Sequence, residues 1–106
     1  MSVTFTYVIE SASEALYIGM SGDPVNRLTS HRAGHTKSTD VGDRATWDFL
    51  TLYRFENAEI AHRMERFLQT MPRAELRPYI EATRFTPELV LNHALAYKHP
   101  HEVPNV

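Results

Sequence analysis

Residues 16–34, LYIGMSGDPVNRLTSHRAG, constrain the fold more than any other stretch of the chain. The first five are apolar or aromatic apart from a glycine and too short for a helix, so they read as a strand interrupted by Gly19. Asp23 offers a side-chain acceptor for the free N–H groups of a helix start. Pro24 stands at the first helical position, where a missing N–H costs nothing. Gly34 supplies the stop, so a helix is predicted from about Pro24 to Ala33. Its apolar content is thin, only Val25, Leu28 and Ala33, while Arg27 and His31 stand four residues apart on one face. Packing accounts for Leu16 and Ile18. It does not account for Tyr17, Arg27 and His31 together.

The flanking segments extend this unit into a small sheet with helices. Residues 3–9, VTFTYVI, alternate, with Val3, Phe5 and Tyr7 on one side and Thr4, Thr6 and Val8 on the other, which predicts a strand. The polar ESASEA between the strands predicts an antiparallel hairpin. Residues 35–46, HTKSTDVGDRAT, read as an exposed loop. Residues 47–55, WDFLTLYRF, read as a third strand, with Trp47, Phe49, Thr51 and Tyr53 alternating against Leu50 and Leu52 and both faces buried in its middle. Asn57 caps a helix whose core stripe is Ile60, Ala61, Met64, Phe67 and Leu68, and Pro72 ends it. Residues 73–85 read as a turn or a short helix around 74–76. Thr86 and Pro87 start a last helix to about His99, with Leu89, Val90, Ala94 and Tyr97 for packing. A loose tail follows from about residue 100.

The fold class expected is α+β: a three-stranded sheet flanked by helices, in the order β-β-α-β-α, with a C-terminal helical extension. At 106 residues this is one domain, with a core over 1–72 and the extension, 73–106, packed on it. The composition, 42% hydrophobic and 23% charged, is that of a globular protein. No apolar run approaches the roughly 20 residues of a membrane span, and the opening residues lack the pattern of a signal peptide. Without cysteine there is neither a disulfide framework nor a thiolate metal site. The expectation is a cytoplasmic protein with no membrane contact. The net charge of −2 argues against a strong non-specific nucleic-acid binder. Residues 27–44 are nevertheless locally basic, with Arg27, Arg32, Lys37 and Arg44 against Asp40 and Asp43.

Five residues stand out as candidates for chemistry: Tyr7, Tyr17, Arg27, His31 and Glu65. Taken singly, each is an ordinary strand or helix residue. Glu65 lies four residues after Ala61 and three before Leu68, at the edge of its helix's apolar stripe rather than opposite it, where a carboxylate looks into a cleft or pairs with an arginine. Taken together, their order is specific. Thr6-Tyr7-Val8, then Tyr17-Ile18-Gly19, then Arg27 and His31 on the first helix, then Glu65 preceded by Ala61, resemble the GIY-YIG endonuclease family over residues 5–70. The small, stand-alone members are the most similar in layout. The first motif departs from the family pattern, Thr6 and Val8 replacing its Gly and Ile.

The resemblance implies an endonuclease that hydrolyses phosphodiester bonds of DNA, structured or repair-related DNA included, with RNA as the alternative substrate. It implies one divalent ion, Mg²⁺ or Mn²⁺, at Glu65, a hard cation suited to an oxygen ligand and water. Tyr7 is then the general base, Tyr17 bonds the attacking water or a phosphate oxygen, and the choice of base between the two tyrosines stays open. Arg27 clamps the phosphate, and His31 relays a proton or holds a tyrosine. Gly19 lets the chain turn between strand and helix, and Arg27, Arg32 and Lys37 contact the nucleic acid. Two other readings stand beside it. One is a catalytically weak nucleic-acid or protein binding module on the same fold. The other is a metal-binding protein built on the six histidines, which zinc would stabilise. The C-terminal helix is a candidate surface for a homodimer or a protein partner.

Overall fold

The computed structural model describes residues 3–97. The elements are β1 (Thr4–Glu10), β2 (Leu16–Ser21), α1 (Pro24–Arg32), β3 (Asp48–Phe55), α2 (Ala58–Thr70), α3 (Arg73–Thr83) and α4 (Pro87–Ala96). One antiparallel sheet has the order β2-β1-β3, so the first strand is central. This is the α+β architecture that the residue patterns predict.

The alternation of β1 divides the molecule into two faces. Val8 enters the larger core with Tyr53, Phe55, Met64, Leu68 and Ile80, beneath α2, α3 and α4. Tyr7 and Ile9 turn the other way and meet Leu28 of α1 and Trp47 in a second, smaller cluster. Thr6, on the α2 side, donates its hydroxyl to the Ala61 carbonyl at 2.7 Å and ties strand to helix.

The capping signals act as the sequence implies. The Asp23 carboxylate accepts from the Asn26 N–H, and Asn57 accepts from the Ile60 N–H. Gly34 adopts φ +80°, where a side chain is strained. The α2 stripe is buried at Ala61, Met64 and Leu68, with Ile60 and Phe67 partly buried beside it.

Four expectations are corrected. Residues 35–46 are not simply an exposed loop: they hold two single-turn 3-10 helices, Lys37–Thr39 and Arg44–Thr46, and Thr39 is wholly buried. The alternation expected through Phe49, Thr51 and Tyr53 breaks at a bulge. Val8 pairs with Thr51 but Ile9 with Phe49. One extra residue, Leu50, shifts the phase, so that Phe49 joins the Tyr7 side and Tyr53 the α2 side. The middle of β3 is therefore not buried on both faces, and Leu52 is 42% exposed. Residues 73–83 form a full helix despite Pro78 within it. A proline inside a helix costs about 3 kcal/mol, offset here by burial of Leu76 and Ile80, at about 1.5–3 kcal/mol each. Finally, α4 ends at Ala96, and of its expected packing residues Leu89 is exposed while Val90 and Ala94 are buried. His99 and the tail from about residue 100 lie outside the described residues. No described helix is long and apolar enough to cross a membrane.

Candidate active site

Tyr7 lies at the centre of the site. The β1–β2 register places it directly opposite Gly19. A Cβ at Gly19 would stand 2.6 Å from the Tyr7 oxygen and 2.7 Å from its ring carbon Cζ, distances real Cβ atoms do not reach. The tyrosine thus lies across the neighbouring strand in space that only glycine leaves. Gly19 is needed here for room, not for an unusual backbone.

The Tyr7 hydroxyl bonds His31 Nε2 at 2.8 Å, and the second ring nitrogen, Nδ1, bonds the Thr39 hydroxyl at 2.6 Å. Tyr17 closes the other side of the imidazole, with ring centroids 4.9 Å apart. Tyr7, His31 and Thr39 are all essentially inaccessible to solvent, and the polar side-chain tips of these three residues each have a partner, as buried groups require. Trp47 closes the site from below, its indole N–H donating to the Thr39 carbonyl at 2.9 Å.

The electrostatics bring in the remaining candidates. Burial, reinforced by Tyr17, pushes the Tyr7 hydroxyl from an ordinary 10 up to about 12. The Arg27 charge and a hydrogen bond from its guanidinium oppose that shift, and the Glu65 carboxylate adds to it. Burial, then the Arg27 charge, lowers His31 below 6.5. At neutral pH the pair is therefore phenol and neutral imidazole. Glu65 is half-buried and raised above the ordinary carboxylate range by that burial, against the pull of His62 and Arg66. Of the other four expected residues, His31 bonds the Tyr7 hydroxyl directly, and Tyr17, Arg27 and Glu65 act on it electrostatically.

Arg32 and Lys37 are placed differently. Arg32 donates from Nε to the Trp47 carbonyl at 2.7 Å and pairs with Asp48 at 3.5 Å, so its guanidinium is engaged in fixing β3 to α1. Lys37 is exposed, in the 3-10 turn that also carries Thr39. Thr39 itself has no sequence signal: nothing local separates it from Thr36 or Ser38 in the same polar run.

Glu65 is one half-buried hard oxygen donor, and no group of three or more His, Asp or Glu side chains gathers among the described residues. That set suits a hydrated Mg²⁺ or Mn²⁺, which takes one or two carboxylates and completes its shell with water and phosphate oxygens. It does not suit a zinc cage, which needs three or four converging ligands. Within the described residues, the histidine-centred metal reading has no support: His31 is committed at both ring nitrogens, and His93 bonds the Tyr79 hydroxyl at 2.7 Å.

The sequence model of the GIY-YIG catalytic domain matches residues 3–78 of this chain, from the residue before β1 into α3. No curated protein matches, and no solved structure does.

Proposed function

The chain belongs to the GIY-YIG catalytic domain family, a family of nucleases, and from that premise we propose that it is a metal-dependent endonuclease that hydrolyses DNA phosphodiester bonds. The observation that carries the reading is the Tyr7–His31 contact of 2.8 Å, with Arg27 and Glu65 acting on the same hydroxyl.

In this mechanism Tyr7 is the general base, although its high pKa keeps it from being a phenolate at rest. It takes a proton from the attacking water at Oη while its own proton passes to His31 Nε2. A neutral imidazole is required to receive it, and burial together with Arg27 keeps His31 neutral. The transfers are concerted with attack, so no free phenolate forms. Arg27 faces the phosphate and stabilises the negative charge that builds on it, a role its planar donor fork suits. Tyr17 orients the water or a phosphate oxygen. Glu65 would hold a hard divalent cation, which when bound neutralises the phosphate and the leaving oxygen. Lys37 contacts the nucleic-acid backbone. Structured or repair-related DNA is the proposed substrate class.

The test is nicking of supercoiled plasmid and cleavage of labelled branched oligonucleotides at low salt, with Mg²⁺, Mn²⁺ or EDTA. Glu65→Ala and Tyr7→Phe are purified in parallel. Cutting that needs the metal and disappears in both variants is the expected result. Folded protein that binds but cuts nothing is the binding module instead. Cutting that survives in both variants removes Tyr7 and Glu65 from the site.

A further inference from the structure

The chain of hydrogen bonds through His31 has a fixed direction, because the Thr36 carbonyl at its far end can only accept. At the Tyr7 end the charge of Arg27 acts on the phenol oxygen. At the other the Thr39 hydroxyl faces the Thr36 carbonyl, an acceptor only, at 3.2 Å. If Thr39 gives its single proton to that carbonyl, it must accept from His31 Nδ1–H. Nε2 is then bare and accepts from Tyr7. Every group is satisfied. The reverse arrangement points Nε2–H at the Tyr7 oxygen and leaves the buried Tyr7 proton without its imidazole acceptor.

We propose that Thr39 is a positioning residue that holds His31 in its Nδ1–H tautomer, so that Nε2 stands ready to receive the Tyr7 proton. This rests on the nuclease reading only for its catalytic consequence; the tautomer itself follows from the geometry. Thr39 is well held for the task. It is wholly buried, its carbonyl is gripped by the Trp47 indole, and its N–H donates to Thr36. The chain is also a dead end. The Thr36 carbonyl cannot pass a proton on, and His31 has no solvent contact. A proton received at Nε2 therefore leaves by the way it came, through Tyr7, and His31 borrows a proton in each turnover rather than exporting it. The 3-10 turn that holds Thr39 also carries exposed Lys37, so the loop offered to the nucleic acid is the loop that sets the imidazole.

The experiment is long-range ¹H–¹⁵N correlation on the uniformly labelled full chain at pH 7.5, with His31 assigned by its loss in His31→Gln. Wild type and Thr39→Ser are expected to show protonated Nδ1 and bare Nε2. Thr39→Val removes the acceptor and is expected to shift His31 toward Nε2–H. Plasmid nicking, read beside it, is expected to drop by about 10²-fold in Thr39→Val, the scale of one lost proton-transfer partner, and to recover in Thr39→Ser. Protonated Nε2 in wild type overturns the proposal, as does a Thr39→Val protein that keeps Nδ1–H. Should Thr39→Val fail to fold, the wild-type and Thr39→Ser spectra decide the tautomer alone. If the tautomers behave as stated and no protein cuts DNA, the nuclease reading fails and the positioning role stands.

Discussion

Val8 and Tyr7 are neighbours in one strand, yet they face two different kinds of interior. The Val8 side is sealed by three helices with aliphatic and aromatic side chains, and its polar groups close on themselves. Thr6 ends on the Ala61 carbonyl, and Tyr53 ends on Thr83, which bonds Tyr79 O in turn. The Tyr7 side is smaller. It buries a phenol, an imidazole and a hydroxyl in series, with a guanidinium and a carboxylate acting electrostatically on the phenol. The first face makes the domain stable. The second keeps polar groups dry and oriented, the condition under which electrostatic and proton-transfer effects are large. Substitutions on the two faces should therefore separate stability from activity.

The sharpest separation is at Glu65. Glu65→Gln keeps the shape and removes the charge. Plasmid nicking should vanish, whereas the thermal midpoint should hold or rise slightly, since burial already disfavours the carboxylate. A protein that loses both would put Glu65 among the structural residues of α2. Next comes Gly19→Ala. The added methyl collides with the Tyr7 ring and hydroxyl, so the ring must move. Displacement of about 1 Å can cost about 10²-fold in rate, and nicking should fall on that scale. Gly42→Ala, with nothing within 4 Å of its new Cβ, should leave nicking unchanged.

The same comparison predicts opposite readouts for two buried side chains. Met64→Ala opens a cavity on the helix face and should cost about 2–5 kcal/mol in urea unfolding, while the folded fraction nicks at the normal rate. Tyr7→Phe leaves His31 Nε2 without its donor, at about 1–3 kcal/mol, and should abolish nicking. If Met64→Ala lowers the rate of the folded protein as much as Tyr7→Phe does, the two faces are not independent.

The parts of this molecule with local causes were legible in the sequence. Asp23, Pro24 and Gly34 bound α1, Asn57 starts α2, and the spacing of Ala61, Met64 and Leu68 gives its buried stripe. Tyr7, Tyr17, Arg27, His31 and Glu65 stand out by their order, and of these the structure packs Tyr7, Tyr17 and His31 against one another. What escaped has a non-local cause. The Leu50 bulge depends on which partner residue β1 offers, α3 persists through Pro78 because Leu76 and Ile80 have a core to enter, and Thr39 matters only because β1 and α1 bring His31 to it. A threonine in a polar loop carries no mark of that.

The smallest expected effect distinguishes the faces by pH. His31 is held below its ordinary 6.5 by burial and by Arg27, so the folded protein takes up this proton less readily than the unfolded chain. As pH falls through 6.5, the unfolded state binds a proton that the fold refuses, and stability declines until the lower, folded pKa is reached. Glu65 acts in the opposite sense. It is raised above 4.5, so the folded protein binds that proton first, and its contribution favours the fold as pH drops toward 4.5. Urea midpoints between pH 7.5 and 5.5 should therefore decline in wild type, and decline less in His31→Gln, which has no imidazole to protonate. Above pH 10 the sign reverses for the phenols. Tyr7, Tyr53 and Tyr79 keep their protons longer in the fold than in the unfolded chain, so stability should fall as pH rises, and Tyr7→Phe should remove one share of that fall while Tyr53 and Tyr79 on the helix face keep theirs. An acid decline of equal slope in wild type and His31→Gln would mean that the imidazole already exchanges its proton with solvent, and that the Tyr7 face is not the dry one.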